Sequence, residues 1–66
     1  MDIQKSIRIA MAQNGINQKE LSELSGISEN TISKALLGKS MPSTKTLNSL
    51  AEAMNMDYFE FISLGR

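Results

Sequence analysis

The sequence predicts an all-α fold, a compact five-helix domain over residues 1–66 that contains a helix-turn-helix. Three observations predict it. No segment alternates with strand period over a useful length. Turn signals at Asn14-Gly15, Ser25-Gly26, Leu37-Gly38 through Pro42, and Asn55 cut the chain into five helical patterns with short links. Four helix starts share one grammar, a capping side chain with apolar residues at N′ and N4, the hydrophobic staple.

The first helix is expected over about residues 2–13, with Ile3, Ile7, Ala10 and Met11 as its apolar stripe and Lys5, Arg8 and Gln13 off it. The second starts at Asn17-Gln18, where Ile16 precedes the cap and Glu20 and Leu21 follow. Asn17/Glu20 reads as a capping box, in which each side chain satisfies the other's orphan backbone donor. The third, about residues 28–36, opens on Ile27-Ser28 with Thr31 and Ile32 behind it. The fourth, about residues 44–54, opens on Pro42-Ser43 with Leu47, a weaker case, and turns Leu47, Leu50, Ala51 and Met54 inward. The fifth, about residues 58–64, opens on Met56-Asp57 with a second box partner at Glu60, and turns Phe61 and Ile62 inward.

The stretch Gln18 to Lys39, QKELSELSGISENTISKALLGK, carries most of the functional signal. Its two helices meet at Ser25-Gly26-Ile27, and Leu21, Leu24, Ile27, Ile32 and Ala35 can close one small core between them. That leaves Glu29, Asn30, Ser33 and Lys34 free of core duty on helix three. Two helices and a Gly-containing turn that hold a polar helix face outward form the device whose second helix enters the DNA major groove. Leu36 and Leu37 cannot both sit inward with Ile32 and Ala35: one is expected to pack on helix four and the other to be exposed.

Composition narrows the classes. At 66 residues the chain is expected to be one domain, short for a self-sufficient core but within the range that folds alone. No run reaches the roughly 20 apolar residues that a bilayer span needs, and the N-terminus MDIQKSIRIA lacks a signal-peptide core. With no Cys there is no disulfide framework, which fits a reducing cytoplasm. With neither Cys nor His, a zinc finger is excluded. Enzyme readings fail on the same absences: Ser22/Glu23 and Ser33/Lys34 are sequence neighbours that do not face each other on a helix. Gly15, Gly26, Gly38 and Gly65 form no phosphate-cradling spacing. No cofactor and no metal is expected, and the five Met residues read as core filler.

Formal net charge is zero and pI about 6.1, which weighs against nucleic-acid binding. Distribution offsets this. Between Asn30 and Ala51 the only charges are Lys34, Lys39 and Lys45, whereas Glu52, Asp57 and Glu60 lie in the last third. A zero sum can hide a basic face opposite an acidic one; the plainer reading is that these lysines are solvated surface.

Base recognition has a chemical vocabulary on helix three. Asn30 can bond two atoms of an adenine edge, Lys34 can donate to guanine O6 or N7, and Glu29 can accept from cytosine N4. Ser33 shares that face. Phosphates suit the start of helix two, where free N–H groups and the helix dipole meet Asn17 and Gln18. Lys39 and Ser40 follow helix three, and Ser43, Thr44 and Lys45 extend the same clamp. Gly38 is expected to be a left-handed cap that aims the Lys39 amide outward. Each residue taken singly is ordinary surface; placed together on a helix-turn-helix they point to DNA. Tyr58, Phe59 and the apolar residues near them suggest either a self-association patch or packing against helix one.

These residues resemble a known family. The segment NGINQKELSELSGISENTISKALLGKSMPSTKTLNSLAEAMNM is similar to the Cro/repressor-type helix-turn-helix proteins, which include lambdoid phage repressors, Cro proteins and xenobiotic-response-element regulators. The matching positions are Gln18, Gly26, Ser28, Ile32-Ser33, Gly38-Lys39, Pro42-Ser43 and Leu47 to Ala51. Leu36 stands where the pattern often has Glu, Leu37 where a polar residue is usual, and Ser22 where Ala is common at a tight helix contact. The resemblance implies a lambda-repressor-like fold and a double-stranded DNA operator, bound as a homodimer at least on DNA. It puts Glu29, Asn30 and Lys34 at bases and Asn17, Gln18, Lys39 and Ser40 at phosphates. It also makes low overall basicity tolerable.

Two functions are expected from this. One is a small Cro-like repressor that binds a palindromic operator with helix three in the major groove; lacking a second domain, it would be regulated by its concentration and dimerisation. The alternative is a protein-interaction module, such as an antitoxin that binds a partner protein through this fold.

Overall fold

Helices form in the computed structural model, which describes residues 2–66, where the capping chemistry lies. They are α1 (Ile3–Asn14), α2 (Gln18–Ser25), α3 (Glu29–Leu36), α4 (Thr44–Ala53) and α5 (Tyr58–Ser63). Each start is capped by the side chain just before it: Asp2, Asn17, Ser28, Ser43 and Asp57 all accept from a backbone N–H three residues on. Both expected capping boxes are present, Asn17/Glu20 and Asp57/Glu60. Asp2 is the cap of α1 and not its first residue. Cooperative formation of such short helices in isolation is marginal; caps and packing together hold them.

The helices stop for equally local reasons. Gly15, Gly38 and Asn55 take left-handed φ of 64°, 74° and 57°. After each, the chain folds back through paired bonds: Ile16 N–H to Met11 O and Gly15 N–H to Ala12 O at the end of α1. The ends of α3 and α4 repeat the pattern, which is the Schellman motif.

The main packing pairs close a ring, α1 on α3, α3 on α2, α2 on α4, α4 on α5 and α5 back on α1. Every helix turns its apolar stripe to the centre of that ring. Ile3, Ile7 and Ala10 come from α1, Leu21 from α2, and Ile32 and Ala35 from α3. Leu47, Leu50, Ala51 and Met54 come from α4 and its cap, and Phe61 from α5. Phe61 is the largest side chain that is fully buried, and burying one such side chain stabilises the fold by about 1.5–3 kcal/mol. Ser6 is buried among these apolar groups and donates to the Ile62 carbonyl at 3.3 Å, which removes the cost of an unpaired hydroxyl. The chain ends meet beside it: Asp2 N–H donates to Gly65 O at 3.1 Å. Gly65 is buried there, and a Cβ on it would run into the Asp2 carbonyl.

Three expectations are corrected. Leu24 is not in the helix-turn-helix core but 61% exposed. The inward arc of α2 runs through Leu21, Ser22 and Ser25, because two small side chains let the turn come close. Ser22 Oγ donates to the Ile27 carbonyl at 2.6 Å, and Ser25 Oγ accepts from Ile27 N–H at 3.1 Å. Leu24 is thereby rotated outward. Second, Leu36 is half-buried against the core and Leu37 exposed, but the main partners of α3 are α1 and α2, not α4. Third, the methionines differ among themselves. Met54 is core, Met11 and Met56 pack on its edge, and Met41 is 72% exposed in the loop after α3. Met1 lies outside the described residues.

Candidate nucleic-acid interface

The outward face of α3 follows from its buried one. At about 100° per residue, Ile32 and Ala35 point to one side and Glu29, Asn30, Ser33 and Lys34 to the other. Burial agrees: Ile32 and Ala35 are buried, Glu29, Asn30 and Lys34 are exposed, and Ser33 is half-buried at the edge of the face. Leu37 is the cap residue in αR conformation, so it continues the helical arc. That places it one turn beyond Ser33 and Lys34, in the middle of the outward face, with 63% of its surface exposed. The face therefore ends on an apolar residue that charge-based reading left out.

The start of α3 is stiffened by Ser28, whose Oγ accepts from Thr31 N–H at 3.2 Å and shares a 2.8 Å hydrogen bond with Thr31 Oγ1. Together with the Ser22 bond across the turn, this fixes how α3 leaves α2. Glu29 lies in the first turn of α3 and Lys34 in its last, the favourable order for the helix dipole.

The candidate phosphate groups fall at three places. At the start of α2, Asn17 Oδ1 accepts from Glu20 N–H at 2.8 Å and Asn17 N–H donates to Glu20 Oε1 at 3.1 Å. Leu21 N–H returns to Asn17 O. The box uses Asn17 N–H and Oδ1, so the donor that Asn17 can still offer an anion is its Nδ2. The main-chain donors that the box leaves for an anion are those of Gln18 and Lys19. Both side chains are exposed; Lys19, which adds a cation here, was not among the expected residues.

Lys39 and Ser40 are exposed in the loop after α3. The expectation that the cap would turn the Lys39 amide outward is corrected. Lys39 N–H donates to Lys34 O at 2.9 Å and closes the Schellman motif around Gly38. What Lys39 can present is its ammonium group. Thr44 and Lys45, the first two residues of α4, are exposed. Ser43 is less available, since its Oγ accepts from Thr46 N–H at 3.2 Å and donates to Thr46 Oγ1 at 3.1 Å.

Gln4, Gly38, Lys39, Ser40, Met41 and Pro42 are among the residues that line one open groove of about 550 Å³. Among the described residues no group of His, Cys, Asp or Glu could hold a metal ion, and no helix is long and apolar enough to cross a membrane. The arrangement offers hydrogen bonding and positive charge around the exposed face of α3.

A comparison with curated proteins finds no match. A family model described as helix-turn-helix matches residues 7–61, which takes in α2, α3 and α4 whole and most of α1 and α5. Five helices, no strand among the described residues, and that match agree with the resemblance read from Gln18 through Ala51. The chain belongs to the helix-turn-helix family of the Cro and xenobiotic-response-element type, a family of DNA-binding transcription regulators.

Proposed function

We propose that this chain forms one domain and acts as a small Cro-like repressor that binds a palindromic operator. In this reading α3 enters the major groove with Glu29, Asn30, Ser33 and Lys34 against base edges. Asn17, Gln18, Lys39, Ser40, Thr44 and Lys45 hold the phosphates on either side. The observation that carries it is the outward face of α3, polar from Glu29 to Lys34 and opposed to the buried Ile32 and Ala35.

A two-fold pair on DNA has half-sites about 34–36 Å apart, one helical turn. The domain measures 24 × 24 × 20 Å, so two copies fit side by side at that spacing and come near enough to touch. Phe59, 81% exposed and in edge-to-face contact with Tyr58 at 6.1 Å, supplies an apolar surface that a second copy can cover.

The test is selection of bound sequences from a random duplex pool, followed by titration of the recovered site across salt. The reading expects a palindrome and affinity that falls steeply with salt as counterions are released. Lys34→Ala or Asn30→Ala should relax preference at single positions by about 1–3 kcal/mol, while Lys39→Ala should weaken all sequences alike. A pool that returns no preferred sequence removes the proposal.

The interaction-module reading draws on one observation, that Leu24, Leu37, Met41 and Phe59 are all more than half exposed. It would be favoured by a stoichiometric protein partner that co-purifies with a chain not retained on heparin.

A further inference from the structure

The last turn of a helix leaves carbonyls without partners. At the end of α3 the Ser33, Lys34 and Ala35 carbonyls accept from Leu37, Lys39 and Gly38 N–H. The next one, Leu36 O, is taken by a residue from the far side of the sequence: Gln4 Nε2 donates to it at 3.0 Å. The bond joins positions 32 residues apart and ties the first turn of α1 to the last turn of α3.

Gln4 also covers the turn that follows. A Cβ on Gly38 would lie 2.7 Å from Gln4 Nε2, so the amide sits directly over the left-handed glycine. Gln4, Gly38, Lys39 and Ser40 share the walls of one groove. The helix-turn-helix match runs over residues 7–61 and leaves Gln4 outside it.

We propose that Gln4 is a positioning residue for DNA binding. Its amide locks the end of α3 and the Gly38 turn in one arrangement, so that the Lys39 and Ser40 side chains are held in register with a phosphate before DNA arrives. The inference rests on the reading of Lys39 and Ser40 as phosphate contacts. Without the tie, the loop after α3 would have to be ordered during binding at a cost that offsets the exposed Lys39 contact, so that contact is not made. Ordering one rotamer-rich side chain costs enough to lower affinity about threefold to tenfold.

The experiment compares the full chain with Gln4→Met, which keeps length and loses the donor. Gln4→Asn keeps the amide but falls one methylene short of Leu36 O, and it is the variant to read where Gln4→Met does not fold. Each is titrated with the selected operator and with a scrambled duplex from low to moderate salt, and its folded fraction is followed by circular dichroism. The expected result is weaker binding to both duplexes, an unchanged base preference, and a log–log salt slope shallower by about 0.9, the value of one phosphate contact. A merely structural role would lower the folded fraction and leave the slope alone; that outcome overturns the proposal. So does a slope and affinity equal to wild type in both variants. If the wild-type chain itself has no salt slope, the DNA reading fails and this inference with it. A wild type with a slope that both variants reproduce sinks Gln4 alone.

Discussion

Ala placed at Gly38 and at Gly26 tests how α3 is terminated, because the two glycines share a backbone conformation and differ in surroundings. Gly26 has φ +75° with no atom within 4 Å of a built Cβ; Gly38 has φ +74° with Gln4 Nε2 at 2.7 Å. The left-handed conformation costs a non-glycine residue about 1–2 kcal/mol. The stiffer unfolded chain returns about 0.4–1 kcal/mol of that. Gly26→Ala should therefore lower stability by roughly 1 kcal/mol. Gly38→Ala bears the same penalty and must also push the Gln4 amide aside, which breaks its bond to Leu36 O. Such a bond contributes about 0.5–1.5 kcal/mol net, so the total is roughly 2 kcal/mol. Urea denaturation resolves the difference, since small domains have slopes of about 1–3 kcal/mol/M. The excess at Gly38 should vanish in a Gln4→Ala background, where nothing is left to displace. Equal losses at the two glycines, or an excess that persists without Gln4, would refute the reasoning.

Three further outcomes are expected. Ser22→Ala removes the 2.6 Å bond to Ile27 O at the centre of the helix-turn-helix; a loss of about 1 kcal/mol should appear in calorimetry as a Tm lower by about 4–8 °C, and an unchanged Tm would show the bond to be dispensable. Phe61→Ala empties the middle of the core at a cost of about 3–5 kcal/mol. Small domains are stable by little more than about 5 kcal/mol, so far-UV circular dichroism at room temperature should report a largely unfolded chain; a cooperative melt near the wild-type temperature would contradict the assigned core. Glu29→Gln removes an exposed carboxylate from the reading face of α3. Binding to unrelated duplexes should tighten severalfold as phosphate repulsion falls, while preference for cytosine at its position weakens; a selection profile unchanged at every position would argue that Glu29 does not face a base.

Element positions were legible because capping is local chemistry. Asn17, Ser28, Ser43 and Asp57 announce their helices through a partner three residues away, and nothing distant has to be known. The outward face of α3 was legible for the same kind of reason, since Ile32 and Ala35 fix its direction by spacing alone. Leu24 was misread because hydrophobicity ranks Leu above Ser for the interior. Across a tight turn, size and a hydroxyl donor outrank it, and Ser22 and Ser25 take the inner arc. Gln4 was not legible at all: its partner is a main-chain carbonyl 32 residues away, and no side-chain pattern encodes a carbonyl. The Lys39 amide shows a subtler failure. Gly38 correctly signals a left-handed cap, yet the same motif consumes the amide of the next residue.

The meeting of the chain ends bears on how any binding measurement is made. Asp2 is bonded to Gly65, Lys5 Nζ donates to the Arg66 carbonyl at 3.1 Å, and Asp2 also lines the groove that holds Lys39 and Ser40. A segment fused to either end thus leaves the domain from one place, close to the loop assigned to the phosphate backbone. Its charges would act within a Debye length of about 8–10 Å at ordinary salt. A polyhistidine or acidic tag at either terminus would therefore enter the measured salt slope as if it were part of the clamp, and moving the tag to the opposite end would not remove it.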